Sequence, residues 1–205
     1  GPEAAHIEGR VVGMAQTLDL SDIDHLQREL PSEIERIAPE ALGSTTAKRF
    51  QKSVDIGVIA TSQEYFEIHQ FKARFGRVFT KAEAENPDAA IALLGDKVAE
   101  KLFGGSDPIG QTVKIGGTTY RIVGVLEKRG SLGFMNADET VYIPVQAGLK
   151  RFVKRKWLNR LTIAAAHPEK LTELQKQIQR SLRRAHRIRP GQPDDFGIFN
   201  QEEAL

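Results

Sequence analysis

The sequence predicts an α+β fold: an α/β layer built from both chain ends as two βαβ-like units, with a β-rich subdomain inserted between them. Three observations carry that prediction. Residues 11–50 and 158–205 each pattern as strand, helix, strand, whereas residues 51–157 are richer in strand and turn signals. The chain has 205 residues, 40% hydrophobic and 27% charged, which suits one large domain or two small ones and excludes wholesale disorder. The expected division is therefore 11–50 with 158–205, and 51–157 as the insert, with crossings near Lys48 to Lys52 and near Lys154 to Trp157. Residues 1–10, with Gly1-Pro2 and Ile7-Glu8-Gly9-Arg10, read as a linker or as residues left by cloning.

The elements follow in order. Ser21 reads as an N-cap with Asp22 and Asp24 in the first turn; Ile23, Leu26 and Leu30 make the apolar stripe, and Pro31 closes the helix. Ile34 to Ile59 turns extended, with a polar break at Lys48 to Lys52. Thr61-Ser62-Gln63-Glu64 and Thr80-Lys81-Ala82-Glu83 each read as a capping box that opens a short helix. Ala89 to Leu94 is a buried strand, Gly95-Asp96 a turn and cap, and Lys97 to Phe103 a helix ended by Gly104-Gly105. Gln111 to Ile115 and Thr118 to Leu126 flank Gly116-Gly117, a pair suited to the positive φ angles of a two-residue hairpin. Gly124 within the second strand marks a bulge or a close backbone approach. Residues 128–138 are expected to be a flexible loop before the strand Thr140 to Pro144. Asn159 to Ala166 is a strand, and Pro168 opens a long helix with the stripe Leu171, Leu174, Ile178 and Leu182. Pro190-Gly191-Gln192-Pro193 breaks the chain before a last strand, Asp195 to Asn200.

Composition excludes several function classes. The absence of cysteine removes disulfide scaffolds, Cys-ligated zinc, iron–sulfur clusters and thiol nucleophiles. With 29 Lys+Arg against 27 Asp+Glu, the net charge of +2 points to no polyanionic partner. The charge is unevenly placed, however: Lys150 to Arg189 carries thirteen basic side chains and only two acids, Glu169 and Glu173. The plain reading is a solvated helix face paired with acids elsewhere in the fold; the functional one is a surface for anionic lipid or an acidic partner. Nucleic acid is not expected, because Trp157 and the three tyrosines do not interleave with the basic run as a stacking platform would. No apolar run reaches the roughly 18 to 20 residues of a membrane span.

The search for chemistry ends without a site. His6, His25, His69, His167 and His186 share no metal-ligand spacing. Ser106, in Gly104-Gly105-Ser106-Asp107-Pro108, lacks the frame of a nucleophile elbow. There is no phosphate-binding glycine loop, and Asp194-Asp195 sit side by side in an extended stretch, where neighbours face opposite ways. The reading is a non-catalytic domain with no catalytic, cofactor-binding or metal-binding residue and no cofactor.

Seven motifs in order resemble the extracytoplasmic (periplasmic) core domain of MacB-type ABC transporter permeases, within the wider FtsX-like permease group. They are Tyr65-Phe66; Gly76-Arg77-Val78-Phe79; Ala90 to Gly95; Leu102-Phe103-Gly104-Gly105-Ser106-Asp107-Pro108-Ile109-Gly110-Gln111 with Tyr120 to Val125; Val141-Tyr142-Ile143-Pro144; Trp157-Leu158-Asn159; and His186 to Phe196. The resemblance implies a porter-like α/β subdomain from both chain ends and an inserted sabre-like subdomain. It also implies a loop between two transmembrane helices of an inner-membrane exporter, driven by ATP hydrolysis on a separate cytoplasmic domain. Implied partners are a periplasmic adaptor and an outer-membrane channel. The parent is expected to be a homodimer in the membrane, and this piece alone a monomer. Two neighbouring functions stay open: lipoprotein release to a soluble carrier, and an FtsX-like domain regulating a cell-wall hydrolase.

Overall fold

The computed structural model describes residues 9–132 and 135–200. In order, the elements are β1 (Arg10–Met14), α1 (Leu20–Glu29), β2 (Ile34–Arg49), β3 (Lys52–Thr61), α2 (Gln63–Ile68), β4 (Ala73–Gly76) and α3 (Lys81–Ala84). Then come β5 (Ile91–Leu94), α4 (Asp96–Phe103), β6 (Thr112–Ile115), β7 (Thr118–Leu126), β8 (Ser131–Leu132) and β9 (Met135–Asn136). The last are β10 (Thr140–Pro144), α5 (Val145–Ala147), β11 (Arg160–Ala165), α6 (Leu171–Ala185) and β12 (Gly197–Asn200). By contact, residues up to Glu40 and from Lys156 onward form one compact unit, and Ala41–Arg155 the other. The first crossing thus falls some ten residues before the break expected at Lys48 to Lys52, which is instead the tip of the β2–β3 hairpin, with Arg49 paired to Lys52. β2 runs through position 40 without interruption, although Pro39 immediately precedes it. Among the described residues no helix is long and apolar enough to cross a membrane.

The first unit is a split βαβ arrangement. Its antiparallel strands lie in the order β12-β1-β11-β2, so β1-α1-β2 and β11-α6-β12 interleave in one sheet. Register puts Val11, Leu161, Ile163 and Ile37 on one face, and all four are buried along with Leu26, Leu174, Ile178 and Leu182 of the helices. Helix α1 is capped by Asp19, not Ser21: Asp19 Oδ1 accepts from Ser21 N at 2.9 Å, and Asp22 Oδ2 accepts from Asp19 N at 3.0 Å. A carboxylate is the stronger acceptor there, and Ser21 falls inside the first turn. A 3₁₀ turn at Pro168–Lys170 precedes α6.

Charged side chains fix the two helices to each other. Glu29 of α1 accepts from Ser181 Oγ at 2.7 Å and from Arg184 at 2.8 Å; these hydrogen bonds, Arg184's first, hold its carboxyl down to about 2. His186, just past α6, lies 2.9 Å from Asp22 Oδ1 through Nε2 and 2.8 Å from Asp195 Oδ1 through Nδ1. Only the imidazolium can donate to both carboxylates. Burial opposes that charge, yet the hydrogen bonds and charges of Asp195 and Asp22 outweigh it and raise the His186 pKa above its ordinary value. At the edge of this unit Glu40, 1% exposed, accepts from Arg160 Nη2 at 2.7 Å and from Thr162 Oγ1 at 2.5 Å.

The second unit closes a ring of strand pairings. β2 pairs with β3, β3 with β10, β10 with β5, β5 with β7, β7 with β6, and β6 back onto β2 through Ala47–Ile115 and Lys48–Lys114. The Gly116-Gly117 hairpin that makes this closure has φ of 56° and 86°, both in the left-handed region that glycine tolerates. β4 hangs on β7 as the free edge of the sheet. Helix α4 buries Val98, Ala99, Leu102 and Phe103. Tyr65, Phe66, Phe71, Phe79 and Tyr142 form one aromatic cluster, with Phe66 edge-on to both Tyr142 at 5.5 Å and Phe79 at 5.6 Å.

Two caps here differ in outcome. Thr80 and Glu83 form the expected reciprocal box, and Glu83, hydrogen-bonded first of all by Arg77, is held down to about 2. Thr61 is instead held in β3 by its pairing with Pro144, so Ser62 becomes the N-cap and turns its hydroxyl to Glu64. The segment expected to be a flexible loop is tied at both ends: buried Asp138 accepts from Arg129 N at 2.7 Å and Gly130 N at 2.9 Å, and β8 pairs with β9.

A Cβ on Gly124 would press on the Arg77 carbonyl oxygen and on Leu93 Cδ2, both closer than side chains tolerate. Gly124→Ala is expected to cost about 1–3 kcal/mol, read as a lower denaturant midpoint with the slope unchanged. The His186 clamp gives a second expectation. Its folded pKa is raised above 6.5, so the stabilisation is complete below that value and fades as pH rises through the higher folded value. The melting temperature should therefore fall across that window on the alkaline side, and His186→Gln should flatten the profile.

Candidate functional site

Among the described residues, the histidines, Ser106 and the Asp194-Asp195 pair do not converge on one centre. His25 Nε2 lies 2.6 Å from Glu29 Oε1 and 3.0 Å from the Ser181 carbonyl. His69 stacks on Tyr65 with centroids 4.3 Å apart, and His167 lies exposed, 3.8 Å from Glu169. His6 falls outside the described residues. Ser106 sits on an exposed turn whose Asp107 Oδ1 accepts from Ile109 N at 3.0 Å. Asp194 and Asp195 diverge, the first to Gln179 and Arg183, the second to His186. Among the described residues no three of His, Asp and Glu group as metal ligands.

The basic run of residues 150–189 is divided between the two units. Lys150 and Arg151 pair with Asp88, Arg160 with Glu40, Arg183 with Asp194 and Arg184 with Glu29. Four acids from other parts of the chain thus pair with five of the thirteen basic side chains of the run.

Two surface features of the second unit stand out instead. One is Phe50, 89% exposed at the tip of the β2–β3 hairpin with φ of 54°, a left-handed conformation uncommon outside glycine. The Arg49 guanidinium lies between its ring, at 4.6 Å, and that of Phe103, at 4.3 Å. The other is an open cleft of about 790 Å³ bounded by β4, by α4 and by the Gly104–Ile109 turn. Phe75, 47% exposed, lies in it beside Val125, Ala99, Pro108 and Ile109, with Asp96, Glu100 and Asp107 as its acids and Arg74 as its base. Neither is apparent in the sequence. The cleft joins stretches thirty and fifty residues apart, and the one local signal, the Arg74-Phe75-Gly76 run beside a glycine-rich turn, reads as structure.

Comparison with known proteins supplies the context. A family model described as the MacB-like periplasmic core domain matches residues 2–181. The macrolide export ATP-binding/permease protein MacB of Bdellovibrio bacteriovorus is 26% identical over 192 residues, which is 93% of this chain and 29% of that protein. The chain therefore spans under a third of the curated relatives it matches. The periplasmic region of MacB from Actinobacillus actinomycetemcomitans shares the fold with a TM-score of 0.81 at 18% identity, covering 95% of this chain and 89% of that one. The extracellular domain of the noncanonic ABC-type transporter YknZ from Gram-positive bacteria does so with a TM-score of 0.77 at 19% identity, covering 93% and 100%. The family matched is the one that the seven motifs resemble. The chain belongs to the MacB-like periplasmic core domains, the periplasmic part of ABC transporter permeases.

Proposed function

We propose that this domain is the mechanical, non-catalytic part of an ABC exporter, relaying conformational change driven by ATP hydrolysis on a separate cytoplasmic domain. The observation that carries the reading is the family match over residues 2–181, on a fold whose polar side chains are largely spent in tying elements together. The first unit corresponds to a porter-like layer and the second to a sabre-like insert. Paired copies in a membrane homodimer shift against one another and pass substrate toward a periplasmic adaptor and an outer-membrane channel. Transmission of this kind needs bodies that hold their shape, not a reactive residue.

This domain has no cysteine, so once cysteines elsewhere in the parent are replaced by serine an introduced thiol is the only one. In the full-length parent transporter, single cysteines are placed at exposed positions of the first unit, such as Glu35, Lys176 and Arg180. At least one should form a disulfide across the dimer that stops export, and reduction should restore it. Normal export by the cross-linked transporter, or no cross-link at any exposed position of the unit, would sink the proposal. The 205-residue chain alone should sediment as a monomer at low micromolar concentration, because pairing is assigned to the membrane and nucleotide-binding parts.

A further inference from the structure

We infer that the cleft beside β4 is a docking site for a basic, apolar-flanked peptide segment of a partner protein, whose cationic side chain takes the place of Arg74. β4 carries a β-bulge. β4 advances two residues, Ala73 to Phe75, while β7 advances one, Leu126 to Val125, so Arg74 is the extra residue. A bulge brings neighbouring side chains toward the same side, and here the Arg74 guanidinium carbon lies 5.0 Å from the Phe75 ring centroid. The same guanidinium reaches Asp96 Oδ1 at 3.0 Å. The chain thus displays in itself the recognition that the cleft offers: a cation over an aromatic face, closed by a carboxylate.

Arg74 fills that place weakly. Its side chain is 57% exposed, and an exposed pair of this kind contributes little to stability. With Arg74 counted, the lining still has two acids in excess, among them Glu100 one turn along α4 from Asp96. The charge complement is therefore a cation, and the apolar complement of Phe75, Ile109 and Val125 is a short aliphatic flank. Shape selects the class of partner. The cleft is half open to solvent and is lined in part by the edge strand β4, which suits a chain segment that stays partly in solvent, whereas small-molecule pockets bury most of their ligand. The inference rests on the second unit alone and does not depend on the exporter reading.

The test uses the 205-residue chain and an acetylated, amidated pentapeptide with a central lysine between two leucines, followed by amide chemical shifts. Saturable shifts are expected at residues 73–76 and 96–109, weakening as salt is raised. Replacing the lysine by norleucine should weaken binding at least tenfold. Arg74→Ala should tighten binding several-fold by vacating Phe75 and Asp96, and Glu100→Lys, at an exposed helix position, should weaken it at least tenfold with the melting temperature unchanged. The inference is overturned if no saturable shifts appear at millimolar peptide, if neither substitution alters the affinity, or if butylamine binds as tightly as the peptide.

Discussion

Glu40 is the constraint on which the architecture turns. It is the last residue of the first unit before the chain leaves for the insert, and it is buried with its charge. Its carbonyl oxygen accepts from Asn159 N at 2.9 Å, and its carboxylate takes Arg160 and Thr162, so the outgoing strand is bound to the returning one at the branch point. A buried carboxylate is costly unless it is paired and hydrogen-bonded, and breaking such a pair costs more than forming it yields. The arrangement favours the observed register of β11 against β2, in which Arg160 lies opposite Glu40. A split βαβ sheet normally joins its second and third strands by a short connection. Here that connection is the whole of residues 41–155, and Glu40 keeps its two ends a strand's width apart.

Given ends fixed in this way, the insert solves the edge problem of a β-rich body by closing its pairings. Six strands satisfy one another in a ring, and β4 lies at the edge of that sheet, paired on one side to β7. Closure depends on a few contacts at the far end of β2, where Ala47 meets Ile115. That contact is available because two glycines at 116 and 117 reverse the chain within two residues, and because Arg49 holds the neighbouring turn through the Leu102 carbonyl and Gln111. Phe50, in the left-handed region with φ of 54°, sits beside this junction.

What could be read from the sequence was local, and what could not was long-range. The Gly116-Gly117 reversal, the Thr80–Glu83 box and the Leu174–Ile178–Leu182 stripe each depend on residues within a turn or two of one another, and each is present. Ser21 and Thr61 were plausible caps by type, but a better acceptor at Asp19 and a strand partner at Pro144 decided the matter. At the crossing the strand continues past Pro39 and only the partner changes, from β11 to β3, so the proline beside residue 40 does not read as a domain boundary. His186 looked like a lone histidine, since its two aspartates lie at positions 22 and 195 and only the folded sheet brings them together. The motifs of the family were legible for a related reason: they specify turns and cores, so they identify the fold while saying nothing of a ligand.

The bulge in β4 shows how one device serves two ends. A straight free strand of four residues would present a regular row of N–H and C=O groups, an invitation to pair with any other edge. The extra residue at Arg74 breaks that row and, by the same displacement, sets a cation and an aromatic ring side by side over the glycine turn. Gly76 then brings the backbone so close to the Val123 carbonyl oxygen and Ile109 that no side chain fits, which fixes the floor on which Phe75 stands. Protection against promiscuous strand pairing and presentation of a selective side-chain surface are thus consequences of a single inserted residue, and removing the bulge would forfeit both.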